Sequence, residues 1–249
     1  MKQLVFLTFL VYAGSNLVQS AFDTGIDVAG VSSLVLHTVG SNSHGIGLRR
    51  FARSALSGMS GEILIRLEST IVSNCKKNGH QQIANNLQNT YDNMKVCLNK
   101  KKIFIATKSE FLDNIDECSR DAVKQTKTCM SDDQKYFPEF ILDLVKSVAG
   151  FMYDDRDIMK YDVAQCVQIF TDYSVRRSYI QCVTDISIQT GDSNQIPTSK
   201  ASFCKTFIPA SYCFTNTIKE NCARTKNLDK FREDYINAMK VPCDKKESE

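Results

Sequence analysis

The chain has 249 residues, of which 43% are hydrophobic and 24% charged, with a formal net charge of +3. These proportions are ordinary for a globular protein, and so small a net charge argues against binding to nucleic acid or another polyanion. The length suits one domain with an appended N-terminal segment.

Residues 1–20 are typical of a secretory signal peptide. Lys2 supplies a positive charge, and the apolar run from Leu4 to Tyr12 is shorter than the roughly 20 residues that a membrane-spanning helix needs. Val18-Gln19-Ser20 then offers small residues to signal peptidase, so we expect cleavage after Ser20. An N-terminal membrane anchor is the weaker alternative, and we predict a secreted, extracellular protein.

Residues 21–61 form a Gly/Ser-rich, partly basic N-terminal segment. Seven of the 11 glycines lie between Gly25 and Gly61, and because glycine loses more backbone entropy on ordering than other residues, we expect this segment to be flexible. Leu48 to Leu56 (LRRFARSAL) places apolar residues on one helical face and three arginines elsewhere. We interpret it as the first helix of the core. A membrane-active or proteolytically released segment of a secreted defence factor stays open as an alternative.

From residue 62 to 249 the apolar residues recur at steps of three and four, which is typical of helices. These stripes cover residues 83–98, 111–129, 137–152, 159–170, 175–186 and 228–239. No alternating pattern indicates a strand, and charged residues interrupt the longest apolar stretch, so no membrane span is predicted. We therefore predict an all-α, disulfide-stapled helical bundle of about six to eight helices.

Ten cysteines, all beyond residue 74, dominate this predicted domain. They are Cys75, Cys97, Cys118, Cys129, Cys166, Cys182, Cys204, Cys213, Cys222 and Cys243. Thiols in an exported chain pair and stay paired. Zinc sites use closely spaced cysteine or histidine ligands, whereas the closest cysteines here are nine residues apart. We predict five disulfides and no metal, with a connectivity that the spacing alone leaves open.

Helical geometry restricts some of the pairings. Cys118 and Cys129 would lie roughly 16 Å apart on one helix, whereas a disulfide needs Cα atoms about 5.5 Å apart. Each must therefore reach another helix. Cys213 and Cys222 are excluded as a pair if one helix holds both. Pro209 predicts a break in the helix between Cys204 and Cys213, so a bond between these two stays open.

The search for catalytic groups predicts no enzyme, no cofactor and no catalytic residue. The three histidines are His37, His44 and His80, and all fall in Gly-rich or turn-like sequence where no rigid scaffold would hold a base. The acidic run from Asp154 to Asp157 lacks the spaced ligands and glycine of a calcium loop. We interpret it as a helix N-terminus, where negative charge opposes the helix dipole.

Phenylalanines at helical spacing suggest a second hypothesis, a carrier of a hydrophobic small molecule in a cavity between helices. The rings concerned are Phe137, Phe140, Phe151, Phe170, Phe203, Phe207 and Phe214. Such stripes are more often plain core, which is the preferred interpretation. The sequence leaves open which protein partners the chain has.

Several motifs of the C-terminal half carry a family resemblance. They are Phe203-Cys204-Lys205, Tyr212-Cys213-Phe214, Ile218-Lys219-Glu220-Asn221-Cys222, Thr225-Lys226-Asn227 and Lys240-Val241-Pro242-Cys243. Together with the spacing of Cys75 and Cys97 and of Cys166 and Cys182, and with Phe137-Pro138-Glu139-Phe140, they resemble the insect 27 kDa haemolymph glycoprotein family over residues 62–243.

The resemblance implies an abundant circulating protein of body fluid, whose family has no established molecular function and offers no catalytic residues. The chain contains no Asn-x-Ser/Thr sequence, so N-glycosylation is not expected here. We therefore expect a secreted, non-enzymatic, haemolymph-type extracellular protein.

Overall fold

The structure, a computed structural model, describes residues 69–189 and 196–246. The predicted signal peptide, the segment 21–61 with its basic stretch, and two of the three histidines lie outside the described residues.

Seven helices of eight or more residues run through the described part of the chain. They are α1 (residues 69–77), α2 (Gln81–Leu98), α3 (Lys108–Cys129), α4 (Phe137–Asp154), α5 (Tyr173–Gln189), α6 (Lys200–Asn221) and α7 (Lys226–Asp244). A 3₁₀ turn, Asp132–Gln134, precedes α4. Residues 69–189 and 196–246 include no strand, so the prediction of an all-α bundle of six to eight helices is confirmed.

The stretch predicted as a helix over residues 159–170 is irregular. After one helical turn, Arg156–Ile158, the chain forms a π-helical turn, Met159–Val163, then Ala164–Cys166 and a 3₁₀ helix, Val167–Thr171. Apolar spacing alone does not separate these helix types, because the 3₁₀ helix and the π-helix each differ from the α-helix by less than one residue per turn.

Several helix ends are fixed by side chains that the sequence places there. Thr107 and Glu110 form a reciprocal capping box at the start of α3, while Ser199 and Thr225 each accept a backbone N–H bond at the starts of α6 and α7. Between α1 and α2, Gly79 has a φ of 78°, in the left-handed region that glycine enters without steric penalty.

The helices contact one another in the series α2, α3, α4, α7, α6 and α5. The main hydrophobic core lies around α4 and α7, where Leu144 and Met239 are fully buried. At the α5 end of the series, α5 packs on α6 through a second, small cluster formed by Val183, Ala210 and Cys213.

The break predicted at Pro209 is wrong, because α6 continues through this proline. A proline inside a helix removes one hydrogen bond and costs about 3 kcal/mol. Phe207 before it and Ala210 after it are both buried, so packing on both sides of the proline offsets this cost.

Within the described ranges, none of the helices combines the length and the apolar content that crossing a membrane requires.

Candidate functional site

All ten cysteines are described and all are paired, as predicted. The bonds join Cys75 to Cys129, Cys97 to Cys118, Cys166 to Cys222, Cys182 to Cys213 and Cys204 to Cys243, with Cα atoms 4.2, 5.5, 5.6, 5.9 and 5.9 Å apart. Each bond connects two different helices or helix ends. The prediction that Cys118 and Cys129 bond to other helices is confirmed, and Cys213 is bonded to neither Cys204 nor Cys222.

The five bonds fall into two groups that share no segment of the chain. The segment from Cys75 to Cys129 contains two of the bonds, which join α1 and α2 to α3. The segment from Cys166 to Cys243 contains the other three. Between the two groups lies α4, which has no cysteine and holds the two parts together by packing on α3 and α7.

The acidic run from Asp154 to Asp157 lies at a junction rather than at one helix start. Asp154 is the last residue of α4, Asp155 follows it, and Arg156 begins the next helical turn. The Asp155 side chain makes no capping bond there. Instead its carboxylate forms an ion pair with Lys230 of α7, whose ammonium also contacts Asp234 at 2.5 Å.

This Asp155–Lys230–Asp234 cluster contains a buried carboxylate. The Asp155 side chain is only 2% exposed, and its Oδ2 atom has no hydrogen-bond partner among the described residues. Burial raises the pKa of Asp155, outweighing the opposing effect of Lys230. The hydrogen bond to Asp155 in turn raises the pKa of Lys230. The charged groups of this cluster thus have a structural role, because they link the end of α4 to α7.

Groups of three or more potential metal ligands are absent from the described part of the chain. His80 lies at the position before α2, where its side chain makes no capping bond.

The seven phenylalanines considered for a ligand cavity pack against aromatic neighbours. One set surrounds the contact of α4 with α6, where the Phe140 ring lies 4.9 Å from that of Phe203 and 6.1 Å from that of Phe207. In another set the Phe170 and Phe214 rings are stacked at 5.6 Å, and Phe214 lies 5.0 Å from Tyr235. These rings form core in the described structure, and the lipophilic ligand stays a prediction.

The hydroxyl of Tyr179 on α5 is a buried polar atom that the sequence analysis did not single out. It has no hydrogen-bond partner within the described ranges, and burial raises the pKa of its phenol. The Tyr179 ring lies edge-on to Phe170 at 5.5 Å. An unpaired donor of this kind is a small source of instability in the contact between α5 and the rest of the domain.

A pocket of about 140 Å³ lies beside the turn from α6 to α7. It is lined by Ile218, Lys219, Cys222, Ala223, Arg224, Leu228, Asp229 and Arg232. The sequence analysis did not find it, because no periodicity or motif marks a pocket formed by a turn and two helix ends. Only the family motif around Cys222 pointed to this region.

Comparisons with protein-family models, with curated proteins and with solved structures find no match to this chain.

Proposed function

We propose that the protein is a secreted, non-enzymatic component of extracellular fluid, of the haemolymph type, that acts through its surface. One observation carries this proposal. All ten cysteines are paired, and each bond joins two separate helical elements. Disulfides in such number persist in oxidising compartments and are rare where thiols are kept reduced.

The arrangement of the bonds supports a protein that must keep its shape in a protease-containing fluid. The five bonds close chain segments with sequence separations from 21 to 56 residues. Each bond of this size contributes on the order of 2–4 kcal/mol, largely by restricting the unfolded chain. Because proteolysis proceeds through local opening, restraints on both sides of α4 protect the domain along most of its length.

The resemblance of residues 62–243 to the haemolymph family supports the same location, as does the signal-like sequence of residues 1–20. The non-enzymatic part of the proposal is supported by the role of the buried Asp155 side chain. The Asp155 carboxylate is bound to Lys230 and ties α4 to α7, so this pair has a structural task.

The test uses protein isolated from its native source, with an antibody against the helical domain. We expect the protein in extracellular fluid rather than in washed cells, and an intact mass that corresponds to a chain starting at Ala21. Under denaturing conditions, alkylation without reductant should modify no cysteine. The reduced sample, as the control, should take up ten alkyl groups, one for each cysteine in the sequence.

Two results would contradict the proposal. The first is a native protein that is retained in cells. The second is alkylation of several cysteines without prior reduction, which would indicate a reducing compartment.

A further inference from the structure

The pocket at the turn from α6 to α7 has a rigid, apolar floor. Ile218 and Leu228 are buried and line it together with Cys222. The Cys222 N–H donates to the Ile218 carbonyl at 3.0 Å, and its sulfur is bonded to Cys166 in the irregular segment. The turn between α6 and α7 is therefore restrained by a backbone hydrogen bond to α6 and by a disulfide to the irregular segment.

The rim of this pocket is cationic. Lys219 and Arg224 are exposed, and neither forms an ion pair with any described residue. Arg232 is fixed in place: its Nε donates to the Thr215 carbonyl at 3.0 Å, and its Nη1 contacts Asp229 at 2.9 Å. With three positive lining residues and one negative one, the pocket carries a local charge of 3 − 1 = +2.

The positive charge and the apolar floor of the pocket together favour a ligand that has a negative group and an apolar part. A cleft lined by one sign of charge concentrates ions of the other sign, and guanidinium and ammonium groups form their strongest hydrogen bonds with carboxylates and phosphates. The pocket volume of about 140 Å³ is roughly ten times the 10–15 Å³ of cavity space that one water molecule needs. This space holds a carboxylate with one small ring or short chain.

We propose that this pocket is a binding site for small organic anions, in which Lys219 and Arg224 bind a carboxylate and Ile218, Cys222 and Leu228 contact its apolar part. The site is independent of the proposed function, because it does not depend on the compartment in which the protein acts. Its exposed cations are hydrated in the free state, so the affinity is modest, with a dissociation constant of about 1 mM.

The test is a titration of the full ¹⁵N-labelled chain, followed by the chemical shifts of its backbone amides at constant ionic strength. Sodium benzoate is the probe. Benzamide is the neutral control of the same shape, and inorganic phosphate is an anion without an apolar part. We expect saturable shifts for benzoate at residues 222–229, and binding at least about tenfold weaker for benzamide and for phosphate.

A matched pair of variants separates local binding from net charge. Lys219→Gln with Arg224→Gln should weaken benzoate binding at least about tenfold. Lys76→Gln with Lys77→Gln removes the same charge from exposed positions of α1 and should leave the binding unchanged. All four side chains are exposed, so both variants should fold, which the amide spectrum itself shows.

The proposal is overturned if benzoate causes no saturable shift, or if benzamide or phosphate binds as well as benzoate. It is also overturned if the two double variants weaken binding equally. Because the titration measures neither location nor disulfide content, its failure leaves the proposed function unaffected.

Discussion

Helices α4 and α5 are of similar length but are held in the domain in opposite ways. Nine residues of α4 are buried, including Phe140 and Leu144, and the helix carries no cysteine. Only Val183 and Ser187 of α5 are buried, and a disulfide from Cys182 ties it to α6. The central helix is therefore kept in place by apolar burial and the peripheral one by a covalent bond.

The difference shows what disulfides replace in this protein. Burying a large apolar side chain contributes about 1.5–3 kcal/mol, so α4 has several such contributions, whereas α5 has few. One bond that restricts the unfolded chain supplies a comparable amount. In α5, the Cys182–Cys213 bond therefore compensates for an apolar face that is too small to hold the helix by itself.

The largest effect is expected from a cavity in α4. Leu144→Ala removes a fully buried side chain and should lower the free energy of unfolding by about 3 kcal/mol, because the surrounding core cannot fully collapse. Denaturant unfolding without reductant measures this change. Asp154→Asn, at an exposed position of the same helix, is the control; it removes only a surface ion pair with Lys108 and should change stability by less than about 1 kcal/mol. A loss below 1 kcal/mol for Leu144→Ala would contradict the central role given to α4.

The bond that holds α5 can be removed without leaving a free thiol. With Cys182→Ala and Cys213→Ala combined, the opening of α5 should become easier by about 2 kcal/mol, which corresponds to amide exchange about thirtyfold faster. Hydrogen exchange followed by mass spectrometry measures this change, with peptides from α4 as the internal control. If the amides of α5 exchange as slowly as before, its small apolar cluster is enough to hold the helix without the disulfide.

A smaller effect is expected where α4 ends against α7. Lys230→Met keeps the aliphatic stem but removes the charge that pairs with buried Asp155. Breaking a buried ion pair typically costs 3–5 kcal/mol; because Lys230 is 56% exposed, we expect a loss of about 1–2 kcal/mol. Adding Asp155→Asn should restore most of it, since no buried charge then remains. If the double variant is as unstable as Lys230→Met, the loss has another cause.

The same carboxyl predicts a pH dependence. Burial raises the pKa of Asp155 in the folded protein above that of the unfolded chain, so ionisation of Asp155 reduces stability as the pH rises through the folded pKa. The stability of Asp155→Asn relative to the original protein should therefore increase as the pH rises from about 4, the ordinary pKa of an aspartate, through the higher pKa of the folded protein. Unfolding curves across this range measure it, and a constant difference would contradict the assigned shift.

The smallest effect concerns the unpaired hydroxyl of α5. Tyr179→Phe removes a buried donor without a described partner, so the free energy of unfolding should stay the same or rise by up to about 1 kcal/mol. Tyr173→Phe, at a 67% exposed position of the same helix, is the control and should have no effect. A loss of more than 1 kcal/mol in Tyr179→Phe would mean that the hydroxyl has a stabilising partner.

Much of this architecture could be predicted from the sequence, because its signals are local. Apolar periodicity marked most helices within a few residues of their observed ends, and helical rise alone showed that Cys118 and Cys129 have different partners. The break predicted at Pro209 was wrong, because the low helix propensity of proline carries no information about how the residues on both sides of it pack.

The remaining features depend on contacts between distant segments. The ion pair of Asp155 with Lys230 joins residues 75 positions apart, and the pocket is formed by the end of α6, the start of α7 and the turn between them. The Lys230–Asp234 spacing of four residues is a local signal for a helical ion pair, but it does not reveal a third, buried partner. Nor could spacing alone choose among the many ways to pair ten cysteines.

The separation of the disulfides into two groups bears on how the molecule matures. Cys129 closes the last bond of the first group, and the next cysteine in the chain is Cys166. Where oxidation accompanies translation, the four leading cysteines can all find their native partners while the six trailing ones are still unsynthesised, which shortens the list of wrong pairings that an isomerase has to undo.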